Sequence, residues 1–372
     1  DRAEVYIDPD APDGGTGSLL SPFNSWFDVE WRPGTSYLQR AGTTSRDSFS
    51  VSLQAAEDTH VEIGTYGNVH GERATIIGSI TFDGAAHVTL RGLHITGAEN
   101  GAVNLVNGAH HVMVVGNEIS DSAIGVWITN GAGVANHIDA NLIHNNSSHG
   151  VAITLAGGAP GEETVVSRNS ILSNGDHGVE LHANNVIVEL NEVAYNGSAN
   201  VGTSGIHVFS ATPDEDSARH NVIRNNVVFG TYENFGPDGN GIELDHWAKD
   251  TEVYGNVLYG NSGQGFVAFR ASDFRFYGNF VFDNMRSEAH LNFARPTEVF
   301  LGSFSVDLPD QVHDFTVHGN VIASSGAFIG SGSANITALL VDAPTIFLTR
   351  NIGANHYFNA DGGSFYLWGF SP

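Results

Sequence analysis

The chain has 372 residues, 45 of them glycine, only 15% of them charged, and a formal net charge of −26. That charge, with no run of basic residues, argues against nucleic acid as a partner, because phosphate contacts need clustered Lys and Arg. Cysteine is absent, which excludes a disulfide framework and thiolate metal sites, and no stretch approaches the roughly eighteen apolar residues of a membrane helix.

Residues 1–72 are irregular. A strand at Ala3-Glu-Val-Tyr-Ile runs into the turn-rich Asp13-Gly-Gly-Thr-Gly-Ser, and Val61-Glu-Ile-Gly-Thr-Tyr-Gly follows. We read this segment as an N-terminal cap with the first coils of a repeat. Residues 73–330 are regular. A glycine followed by alternating residues recurs as Gly125-Val-Trp-Ile-Thr, Gly150-Val-Ala-Ile-Thr, Gly178-Val-Glu-Leu-His, Gly205-Ile-His-Val-Phe, Gly241-Ile-Glu-Leu-Asp and Gly265-Phe-Val-Ala-Phe. Between these stand Asn117-Glu-Ile, Asn141-Leu-Ile, Asn169-Ser-Ile, Asn191-Glu-Val, Asn225-Asn-Val, Asn256-Val-Leu, Asn279-Phe-Val and Asn320-Val-Ile. Short alternating strands at this period predict an all-β solenoid, a single-stranded parallel β-helix with one repeat per coil. The asparagines are expected to stack as a ladder in the turns. Residues 331–372 read as C-terminal coils and a cap, so that 1–372 form a single β-helix domain.

The glycine-to-glycine step is 25 residues from Gly125 to Gly150 and 36 from Gly205 to Gly241. The extra residues lie in Ser210-Ala-Thr-Pro-Asp-Glu-Asp-Ser and Thr231-Tyr-Glu-Asn-Phe-Gly-Pro-Asp-Gly-Asn, which read as loops beside a binding face. Asp238-Gly-Asn-Gly suits a turn or an oxygen-rich calcium loop equally.

Residues one and three after each glycine are apolar and point inward, so residues two and four point outward. The outward columns read Trp127, Ala152, Glu180, His207, Glu243, Val267 and Thr129, Thr154, His182, Phe209, Asp245, Phe269, with His246, Arg270 and Arg295 just beyond the strands. The coil after Gly265 aligns with His290 at the glycine position, which puts Asn292 outward. Acid, imidazole and aromatic residues on one strand face suit a carbohydrate site. Trp127, Phe209, His246, Phe269 and Arg295 would bind sugar, and Glu180, His182, His207, Glu243, Asp245 and Arg270 would carry chemistry.

The opening Tyr6-Ile-Asp-Pro, Gly14-Gly-Thr-Gly-Ser and Ser21-Pro-Phe, with Ile63-Gly-Thr-Tyr-Gly and Ala74-Thr-Ile-Ile-Gly, resembles the start of secreted right-handed β-helix proteins that act on polysaccharides. That resemblance implies a right-handed helix, a polysaccharide substrate, a monomer, and a secreted bacterial protein, extracellular or periplasmic, whose targeting segment precedes Asp1. Gly241-Ile-Glu-Leu-Asp-His and Gly265-Phe-Val-Ala are similar to the catalytic coils of mannuronan C5-epimerases, which carry Asp-Pro-His-Glu where this chain has Glu243-Leu-Asp-His. They also resemble the calcium coil of pectate lyases with an acidic cluster, whose catalytic Lys is replaced here by Val267. The polygalacturonase motifs are not present.

The leading expectation is therefore a lyase that β-eliminates a uronic-acid polysaccharide. Arg270 or Arg295 would neutralise the uronate, His207 or His182 would be the base, and calcium would sit near Glu243 and Asp245. The alternative is a glycoside hydrolase with paired carboxylates. Glu180 and Glu243 would lie about 10 Å apart across one intervening coil, and Glu243 and Asp245 about 6.7 Å apart on one strand. Uronate epimerisation and non-catalytic sugar binding are further alternatives.

Overall fold

The computed structural model describes residues 2–67, 71–233, 236, 238–287, 296–307, 309–324, 336–342, 351–359 and 366–370. Among them the regular structure is β-strand, apart from two short 3-10 helices at Trp26–Asp28 and Glu57–Thr59. No helix among the described residues is long and apolar enough to cross a membrane. The chain forms two compact units, residues 1–170 and 171–372.

Each unit is a stack of coils, and each coil gives one strand to each of three parallel sheets. In the first unit the sheet that matters below runs Phe49–Val51, Ile80–Asp83, Gly101–Val106, Ile124–Thr129 and Val151–Gly157. In the second unit it runs Val179–Asn184, Ser204–Val208, Asn240–Leu244, Phe266–Ala268, Thr297–Leu301, Thr337–Asp342 and Tyr366–Phe370. The inward residues read from the repeat form the core: Val126, Ile128, Val151, Ile153, Val179, Leu181, Ile206, Val208, Ile242, Leu244, Phe266 and Ala268 are all fully buried. Each of these Val, Ile, Leu and Phe side chains contributes roughly 1.5–3 kcal/mol by leaving water.

The repeat glycine has a packing cause. A Cβ at Gly205 would lie 2.8 Å from the Gly241 carbonyl oxygen and 2.4 Å from Val228, and one at Gly241 would lie 2.6 Å from the Gly265 oxygen. Any side chain there would push the next coil away.

The asparagine ladder is present. In the first unit the Asn117 amide donates to Asn141 Oδ1 and that of Asn141 to Asn169 Oδ1, each at 2.9 Å. In the second unit the ladder runs Asn191, Asn226, Asn256, Asn279, Asn320, Asn355. The rung expected from Asn225 is therefore its neighbour. The residue before each rung sits at positive φ, as Gly116, Ala140, Arg168, Leu190, Gly255, Gly278 and Gly319 do, and Asn225 (φ 55°) fills that place. Asn tolerates this conformation, so both positions of the corner suit Asn and the pattern alone could not choose between them. A second ladder joins Asn261 and Asn284 and ends on the buried Glu298 carboxyl, which accepts from Asn284 Nδ2 at 2.7 Å. Burial away from water pushes Glu298 up to about 8.

One alignment is corrected. Val267 pairs with Phe300, and Phe266 with Val299, so the coil after Gly265 is Thr297–Leu301 rather than one starting at His290. The outward position assigned to Asn292 belongs to Phe300. His290, Asn292 and Arg295 lie outside the described residues.

Candidate active site

The second unit's strands bring the acidic and imidazole residues together. Register pairs Glu180 with His207, His207 with Glu243, and Glu243 with Val267, so the first four form one outward column. A cavity of about 500 Å³ opens beside it. One wall is polar: His207, Asp238, Asn240, Glu243, Asp245, His246 and Gln264. The other is apolar: Val267, Phe269, Phe300 and Phe304.

Asp245 is the most strongly held carboxylate. Its oxygens face His246 Nδ1 at 2.6 Å, the His246 backbone N–H at 2.8 Å and His207 Nε2 at 3.5 Å. Burial alone would raise its pKa, but the bonds from His207 and His246 outweigh burial and hold it ionised, well below the usual carboxylate range. For His207, burial would lower the pKa. The bonds to Asp245 and Glu180 and the charge of Glu243 overcome that and push the imidazole up to about 10. Its Nδ1 lies 3.9 Å from Glu180 Oε2, an ion-pair distance.

Glu243 is buried. Its Oε2 accepts from Ser204 Oγ at 2.5 Å and Asn240 Nδ2 at 3.0 Å, and burial followed by repulsion from Asp245 raises its pKa. Asp238 comes from the loop before the strand and receives Asn240 Nδ2 at 3.3 Å. Burial, then the negative charges of Glu243 and Asp245, push Asp238 up to about 8. One cavity thus holds a carboxyl that keeps its proton at neutral pH and another that does not.

His177, absent from the sequence reading, stacks on His207 with ring centroids 4.4 Å apart and planes 16° apart. Its Nδ1 accepts the Ser204 backbone N–H at 2.9 Å, so the ring proton sits on Nε2, which faces Glu180 Oε2 at 3.6 Å. His177, Ser204, Asn240 and Gln264 share a signal that was available: each immediately precedes a repeat glycine. The alternation puts that position on the inward side, so the outward columns passed over it. Asp238 had no periodic signal, because its place depends on the insertion's fold. Glu233 fixes that insertion, accepting the backbone N–H of Gly202 at 2.7 Å and of Gly236 at 3.0 Å.

The remaining expected residues have other surroundings. His182 Nε2 bonds Glu215 Oε2 at 2.9 Å, and Glu215 also takes Ser210 Oγ and the Ala211 N–H, so this pair closes the first insertion. Phe209 lies between the rings of His182 and His207, at 4.8 and 5.1 Å. Arg270 packs its guanidinium over Phe269 at 5.3 Å and does not line the cavity. Trp127 belongs to the first unit, half-buried between Asn104 and Ala152 in register.

Calcium requires six to eight oxygens. Here Glu243 Oε2 faces O–H and N–H donors and Asp245 faces two imidazoles. This donor set does not fit calcium. His177, Glu180 and His207 converge closely enough for a nitrogen-binding metal, and in the ion-free arrangement stacking and ion pairing already hold them.

Residues 78–258 match the family model described as a right handed beta helix region. The fold is a single-stranded right-handed parallel β-helix. No curated protein sequence matches the chain. Among solved structures, the A-module of the mannuronan C-5 epimerase AlgE6 from Azotobacter vinelandii superposes with a TM-score of 0.64 at 14% identity, covering 90% of this chain and 87% of that one. The GH136 lacto-N-biosidase from Eubacterium ramulus gives 0.58 at 10% identity over 99% and 68%. The pectate lyase Pel9A gives 0.52 at 16% identity over 73% and 76%. At these identities the likeness is one of fold.

Proposed function

We propose that this protein is a secreted glycoside hydrolase acting on a neutral polysaccharide or oligosaccharide in the cavity of its second unit. The observation that carries the reading is the split between two carboxyls in that cavity, Asp238 pushed up to about 8 and Asp245 held ionised. Glycosidic hydrolysis uses that division of labour: a protonated acid on the leaving oxygen and an ionised carboxylate at the anomeric carbon or its attacking water. Asp238 is the acid and Asp245 the carboxylate. Burial, and then the negative charges of Glu243 and Asp245, keep Asp238 protonated, and His207 and His246 keep Asp245 ionised. Phe269, Phe300 and Phe304 give sugar rings an apolar wall. Sugar-active enzymes of the same fold, a lacto-N-biosidase among them, support the substrate class.

The lyase reading draws on the His207 cation, which could face a uronate carboxylate. Against it, no Arg or Lys lines the cavity among the described residues, and the chain's net charge of −26 opposes a polyanion. The test is incubation with neutral and uronate-containing glycans, with and without chelator, following reducing ends and the ultraviolet absorbance of a new C4–C5 double bond. Reducing ends without absorbance, lost in Asp238→Asn and Asp245→Asn, are expected. Absorbance rising with the reducing ends would overturn the hydrolase and restore the lyase.

A further inference from the structure

The first unit carries a cluster of three histidines that the proposed hydrolysis does not use. His87 and His111 occupy equivalent corners of successive coils, both at positive φ (53° and 51°). His110 stands beside them, paired in register with Ala86 of the previous coil. The His87 and His111 rings stack at 4.5 Å, and His110 Nδ1 lies 2.8 Å from His111 Nδ1. One ligand nitrogen from each ring lies within 4.8 Å of the other two, and all three residues are half-buried, within reach of solvent.

Stacking alone does not explain this arrangement. Aromatic columns occur elsewhere, as in Phe229–Tyr259–Phe282, where each coil supplies one ring. Here a third ring leaves the column and turns a nitrogen onto its neighbour's. Two imidazole nitrogens at 2.8 Å share a single proton, and a cation in its place would take the lone pairs of both.

We propose that His87, His110 and His111 bind a divalent transition-metal ion of the zinc type. Three imidazoles form the donor set for zinc, copper or nickel rather than calcium or magnesium, with water completing a tetrahedron. Glu57 near His87 and Glu162 near His110 add negative charge that favours a cation. The ion would tie two successive coils together at a corner.

The test is equilibrium dialysis of the full chain against Zn(II), with Co(II) as a spectroscopic probe of coordination. His87→Asn and His111→Asn are the variants of choice, because Asn keeps the positive-φ backbone while removing the imidazole. We expect one Zn(II) bound by the parent, at least tenfold weaker binding in each single variant, and loss in the double variant. Zn(II) should raise the parent's thermal midpoint and leave the double variant's unchanged. If His111→Asn does not fold, His110→Ala tests the same site from outside the column. Glu180→Gln, which breaks the other histidine-containing donor trio, should leave Zn(II) binding intact. Absence of binding to the parent, retention in the double variant, or loss in Glu180→Gln would each overturn the proposal.

Discussion

Each unit's strands in this sheet present an outward column, and the two columns differ. In the first unit the column is Ser50, Thr81, Asn104, Trp127, Ala152; in the second it is Glu180, His207, Glu243, Val267, Phe300. The inward residues are apolar in both, mostly Val, Ile and Leu, with Phe82 in the first unit and Phe266 in the second. In the first column Thr81, Asn104 and Trp127 are half-buried and the small Ala152 is covered; in the second Glu180, His207 and Phe300 are half-buried, and the covered residues include a carboxyl, Glu243, only 6% exposed. Part of the cover is the long insertion that Glu233 anchors, which brings Asp238 and Asn240 to the strand. The backbone is therefore neutral scaffold. On the proposed reading, chemistry belongs where charged outward residues and a folded insertion coincide, because burial raises Asp238 while the bonds from His207 and His246 hold Asp245 low.

The largest expected effect lies in the second column. Asp245→Asn and Asp238→Asn should each lower kcat on a glycan by roughly 10²–10⁴-fold. The Asp238→Asn loss should shrink on an aryl glycoside, whose leaving group needs no proton. In the parent, activity should fall as pH rises through about 8, where Asp238 loses its proton, and the variant should lack that limb.

The scaffold should respond next, in stability. Asn256→Ala strips a buried side-chain rung that links Asn226, Asn279 and the Ile223 carbonyl, so it should cost about 1–3 kcal/mol in denaturant unfolding for each polar group left unpaired. A smaller effect should appear in the pH dependence of stability. His207 holds its proton with a pKa of about 10 when folded against 6.5 when unfolded. Its contribution is complete below 6.5 and is lost as pH rises from 6.5 to 10. Asp238, raised to about 8 from 3.8, also destabilises with rising pH over the lower part of that window. Thermal midpoints measured from pH 6.5 to 10 should fall in the parent and fall less steeply in His207→Asn, most visibly above about 8, where Asp238 has already lost its proton.

The smallest effect is expected in the first column. Thr81→Ala should change stability by no more than about 0.5 kcal/mol and leave turnover unchanged. A large loss of activity there would break the contrast between the two columns.

Much of the fold could be read because its rules are local. Glycine marked where no Cβ fits, alternation sorted inward from outward residues, and Asn marked the corners. Glu180, His207, Glu243 and Asp245 followed from the same alternation. The reading failed where spacing alone decided. Asn225 and Asn226 both satisfied the corner pattern, and the coil after Gly265 was aligned on His290 when Phe300 is the partner of Val267.

The sequence by itself determined a β-helix, its core and the strand face that gathers acid and imidazole, because each depends on a period of two residues within a repeating coil. Only the tertiary structure decided that Asp238 enters the cavity, that His177 stacks on His207, and that His182 closes a loop. Those positions depend on how insertions without a period fold back, and on burial and charge summed over residues far apart in the chain.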